Sequence, residues 1–126
     1  MDTISLASEL TVLAPDGSEI RELIAVSGGS VVHCTLPSGV SSAAVAHRTV
    51  EEVWYCLQGR GQVWRKNESA ESVVDVRPGV SLNITVGTHF QFRNTGTEPL
   101  CIIIVTIPPW PGEAEAVRVN DYWDAR

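Results

Sequence analysis

Between about residue 20 and residue 107 the apolar positions come in short runs: Ile24-Ala25-Val26, Ser30 to Leu36, Ala43 to His47, Glu52 to Leu57, Gln62 to Arg65, Ser72 to Val76, Ser81 to Val86, Phe90 to Arg93 and Leu100 to Ile107. Most are rich in Val, Ile, Thr and aromatics, which suit a pleated and half-buried surface, and Gly, Pro or Asn separates them. Turn chemistry falls at Ser27-Gly28-Gly29, Pro37-Ser38-Gly39, Gly59-Arg60-Gly61, Arg77-Pro78-Gly79 and Asn94-Thr95-Gly96. So many short strands with regular punctuation predict an all-β sandwich or barrel. A helix is admitted only around Ser18 to Leu23.

Strand parity assigns faces, because successive side chains point to opposite sides. Glu52, Trp54 and Cys56 share one face, and Val53, Tyr55 and Leu57 the other. Leu100 to Ile107, LCIIIVTI, is apolar at both parities, so both of its sides should be covered. One side meets the core. The other calls for a second sheet, a chain segment or another subunit, and a homodimer is the economical expectation. In PPWPGE, residues 108 to 113, three prolines enforce an extended, ladder-free path. The tail is expected to wrap the barrel or a partner, with Trp110 and Trp123 as apolar anchors.

Composition narrows the picture. At 126 residues, 44% apolar and 19% charged, the chain fits one globular domain over 1–126, with a core barrel at about 20–107 and a Pro-rich tail over 108–126. A net charge of −6, from 15 acidic against 9 basic residues that never cluster, argues against nucleic acid and membrane as partners. Cys34, Cys56 and Cys101 are odd in number and set in apolar sequence, as for buried free thiols in a reducing compartment. With no basic head and apolar run at the start, and no apolar stretch near the roughly 20 residues that span a bilayer, the expected location is cytoplasmic.

HRTVEEVWYCLQGRG, residues 47 to 61, and GVSLNITVGTHFQFRN, residues 79 to 94, carry the candidate chemistry. Together they resemble the two signatures of the cupin superfamily, G-x5-H-x-H-x3,4-E-x6-G and G-x5-P-x-G-x2-H-x3-N. Glu52 and Gly59 are in register, and His47 matches the second histidine. The first histidine position holds Val45. In the second signature Gly79, Gly87 and Asn94 match, while Thr85 replaces the proline and Phe90 the histidine. The resemblance covers roughly residues 30 to 107. It implies a cupin-type jelly-roll β-barrel and carries over only His47 and Glu52 of four metal ligands.

His89 lies one residue before the lost ligand position. Turning it inward would turn Phe90 and Phe92 outward, at about 2 to 3 kcal/mol each of lost burial. Phe90 and Phe92 are therefore expected inside and His89 on the polar face, although a β-bulge near Gly87 would reverse this. Two readings of His47 and Glu52 follow. They are the remnant of a metal site (Zn, Fe, Mn or Ni) completed by water, substrate, His33 or His89. Otherwise they form a hydrogen-bonded pair in a dry barrel with no cofactor, able to act as general acid or base. Trp54, Phe90 and Phe92 are candidate walls of an apolar substrate pocket.

Three functions are compatible with these residues. The first is a protein that binds or converts a small organic molecule, with a degenerate His47/Glu52 site. The second is a metal-dependent enzyme of dioxygenase, isomerase or cyclase type. The third is a non-catalytic structural or regulatory module.

Overall fold

The computed structural model describes residues 1–125. Strands β1 (Val12–Leu13), β2 (Glu19–Val26), β3 (Gly29–Leu36), β4 (Val45–His47), β5 (Glu51–Gln58), β6 (Gly61–Lys66), β7 (Glu71–Val76), β8 (Ser81–Ile84), β9 (His89–Asn94), β10 (Leu100–Ile107) and β11 (Ala116–Arg118) follow one another, with a 3-10 turn at Glu113–Glu115. They form a six-stranded sheet, β1-β2-β3-β10-β5-β8, and a five-stranded sheet, β11-β4-β9-β6-β7. From β3 to β10 the chain passes repeatedly between the two, which is the double-sheet jelly roll expected from the sequence. The core between the sheets includes Leu36, Trp54, Val63, Phe90, Phe92 and Ile102.

Of the segment Ser18 to Leu23, where a helix was admissible, everything from Glu19 on is strand instead. Ile20 pairs with Val12 on one side and Cys34 on the other, so ladders on both flanks override a weak local preference. The structure also adds two strands that local pattern did not signal, β1 and β11. The latter pairs Ala116 with His47 and Arg118 with Val45, so part of the 108–126 tail joins the barrel as ladder rather than running free.

The turn between β5 and β6 needs its glycines. Gly59 has φ 87°, and a Cβ there would sit 2.6 Å from the Pro99 carbonyl oxygen. A Cβ on Gly61 would collide with the Arg93 carbonyl.

Along β9 the ladder with β6 runs without interruption from Lys66↔His89 to Gly61↔Asn94. Phe90 and Phe92 are buried and His89 is exposed. Gln91, on the opposite face, is also buried, because the C-terminal tail covers it. Its side-chain N donates to the carbonyls of Ser42 and Trp123, and its oxygen accepts from the Tyr122 and Trp123 N–H groups. Tyr122 stacks on Trp64 at 5.3 Å, and Arg93 lies 4.4 Å from the Trp123 ring. On the outer face of the six-stranded sheet, Val53, Tyr55, Leu57 and Ile107 are each exposed by more than 40%.

Candidate functional site

A cavity of about 240 Å³ opens at one end of the barrel. The strand alternation that buries Trp54 also turns Glu52 inward, and both line this space together with His47, Val45, Phe90 and Ile104. The rim comes from the two ends of the chain: residues 12 to 16 on one side, and Pro109, Trp110 and Glu113 on the other.

Glu52 is 6% exposed. Trp54 Nε1 donates to its Oε1 at 3.0 Å, and Thr106 Oγ1, on the neighbouring strand β10, donates to its Oε2 at 2.8 Å. Burial pushes the carboxyl up to about 7, against the pull of these two bonds and with help from the Asp16 and Glu115 charges. The group therefore gains or loses its proton near neutrality.

His47 is 5% exposed, and its Nδ1 has no hydrogen-bond partner among the described residues. Burial lowers its pKa to about 4, partly countered by Glu115, so the imidazole is neutral at pH 7. Phe90 and Trp110 meet its ring edge-on at 5.1 and 5.2 Å. The expected His47–Glu52 hydrogen bond is not made, since both Glu52 oxygens are turned to Trp54 and Thr106 instead. The neutral imidazole adds no charge that would hold the carboxyl down.

Glu115 stabilises the loop after β4. Its carboxylate accepts from the N–H groups of Thr49 and Val50 and from Thr49 Oγ1. Burial works to raise its pKa, but these bonds and His47 outweigh that and hold it below the ordinary range. Asp16 at the rim accepts from the Ser18 N–H and hydroxyl, and burial nevertheless raises its carboxyl.

Of the residues singled out from the sequence, His47, Glu52, Trp54 and Phe90 meet at the cavity. Phe92 does not line it; it lies behind Trp54, ring to ring at 5.0 Å. His33 pairs with Ile103 on the outer face of β3, away from the barrel interior. His89 faces solvent. Asp16, Thr106 and Trp110 belong to the site but were not predicted to. Asp16 sits in a Pro-Asp-Gly turn and Trp110 between prolines, and neither pattern reports proximity to residues 47 and 52.

The four positions where the resemblance implies metal ligands hold Val45, His47, Glu52 and Phe90. Val45 and Phe90 face each other directly across β4 and β9, so two adjacent donors are replaced by hydrocarbon. Among the described residues no three His, Cys, Asp or Glu side chains gather as a metal site would require. The donor set present does not fit a resident transition metal.

A family model described as a cupin domain matches residues 32–106. The chain belongs to the cupin superfamily. This cupin is 32% identical over 106 residues to an uncharacterized protein of Methanocaldococcus jannaschii, an alignment covering 80% of this chain and 82% of that one. Its fold matches a solved protein of Bacillus halodurans with a TM-score of 0.67 and 21% identity, covering 82% of this chain and 76% of the other. It also matches Bacillus subtilis oxalate decarboxylase, a protein with Mn(II) centres, with a TM-score of 0.73 and 13% identity. That match covers 89% of this cupin but 30% of the decarboxylase chain, and it speaks for shared fold alone. All three cysteines of the cupin are free, and no helix among the described residues is long and apolar enough to cross a membrane.

Proposed function

We propose that this cupin binds a small organic molecule in the barrel-end cavity, with Glu52 and His47 as its polar contacts and no resident metal. The observation that carries this reading is a cavity between apolar walls lined by a buried carboxyl and a buried imidazole with an unpartnered nitrogen, burial pushing the carboxyl up to about 7 and keeping the imidazole neutral. A carboxyl that exchanges its proton near neutral pH can donate to or accept from a bound molecule, so proton transfer on the ligand is the chemistry these residues support. A cavity left unfilled by side chains favours this over a purely structural module.

The test is a thermal-shift screen of small organic molecules against the parent and Ile104→Phe, which narrows the cavity from β10. Ligands should raise the Tm of the parent and leave the variant, folded by circular dichroism, unmoved. Equal shifts in both proteins, or none in either, refute the proposal.

A further inference from the structure

We infer that the ligand of this cavity is an organic cation, an amine or quaternary ammonium of about choline size. The inference rests on the proposed reading of the cavity as a ligand site. Its charged lining is of one sign: Glu52 at the floor, Asp16, Glu22 and Glu113 towards the opening, and no Lys or Arg. The rings of Trp54, Phe90 and Trp110 contribute to the walls, and such rings attract a cation electrostatically when water is excluded. Of the other polar lining residues Ser18, Ser30 and Thr106 are uncharged, and His47, which is buried and keeps an unpartnered nitrogen, adds no positive charge.

An anion would find no countercharge here and four carboxyl groups against it. A neutral molecule would fit the walls but leave Glu52 in its unfavourable buried setting. A cation both meets the rings and supplies the charge that Glu52 lacks, and the overall charge of −6 draws it in. Binding should also expel a proton. A cation beside Glu52 favours its ionised form, so affinity should rise as pH passes from about 5 to about 8. The titratable groups whose charges act on Glu52 are Asp16, Glu115 and Cys34, while His47, Glu22 and Glu113 line the same cavity.

The experiment is titration calorimetry with choline, with neohexyl alcohol, in which carbon replaces the quaternary nitrogen, and with the matching carboxylate. Choline should bind on the order of tenfold more tightly than the alcohol, release a proton near neutral pH, and weaken with salt. The carboxylate should not bind. Glu52→Gln should cut choline affinity and spare the alcohol. Alcohol binding equal to or tighter than choline overturns the inference while leaving the cavity reading intact. Absence of binding by all three also overturns it, and the Ile104→Phe screen then decides the cavity reading independently.

Discussion

Replacing Glu52 by Gln should stabilise the protein in mildly alkaline solution and not in acid. The isostere keeps the Trp54 Nε1 bond to the side-chain oxygen, and its amide can donate to the Thr106 hydroxyl, so any change in hydrogen-bond energy is independent of pH. The carboxyl goes from an ordinary 4.5 to about 7 on folding, which makes its ionised form unfavourable by about 3 kcal/mol. The favourable share of Glu52 is present in full below 4.5 and is lost as pH rises through about 7. His47, lowered to about 4, acts in the opposite direction: the stability of its neutral folded form is lost as pH falls below its ordinary 6.5. The parent should therefore have a flattened profile between these values, and each single substitution should unmask the other group. Urea denaturation followed by tryptophan fluorescence, at about pH 4 to pH 8 and constant ionic strength, measures the difference between parent and variant. The difference should move by about 3 kcal/mol towards the variant across that range. A difference that does not vary with pH refutes the account of Glu52 as a carboxyl desolvated in the folded state.

Three further outcomes follow from the same geometry. The double substitution Val45→His and Phe90→His places imidazoles at two facing positions beside His47 and Glu52, and calorimetry should show the variant gaining Zn²⁺ or Ni²⁺ binding that the parent lacks. Glu115→Gln should destabilise by about 2 kcal/mol at neutral pH, through loss of charge-assisted bonds to Thr49 and Val50. Because the Glu115 carboxyl is held low, that difference should fade as pH drops through its depressed value, which acid denaturation of the two proteins checks. The apolar outer row of Val53, Tyr55, Leu57 and Ile107 is the surface expected to pair two copies, so sedimentation velocity should give a dimer that Tyr55→Lys converts to monomer. A monomeric parent refutes that expectation.

The alternation of Glu52, Trp54 and Cys56 against Val53, Tyr55 and Leu57 was enough to assign β5 its two faces, and the cost of exposing two phenylalanines was enough to orient β9. Both depend on a two-residue period within one strand, which any fold must respect. The signature spacings around His47, Glu52, Gly59 and Gly87 likewise pointed to the barrel by resemblance, because turn lengths and the glycines that supply positive φ are fixed locally. The same local rules could not show that Gln91 is buried, since its cover is a tail some 30 residues onward (32 to Trp123). Nor could they show that Glu52 bonds Thr106, 54 positions away, in place of His47. Whether a buried carboxyl meets an imidazole or a hydroxyl depends on which strands become neighbours and in what register. The sequence by itself thus determined the strands from β3 to β10, their inward faces and the superfamily. Only the tertiary structure decided the partners of Glu52, the isolation of His47 and the convergence of Asp16 and Trp110 at the opening, because those contacts join segments whose separation along the chain carries no record of their distance in space.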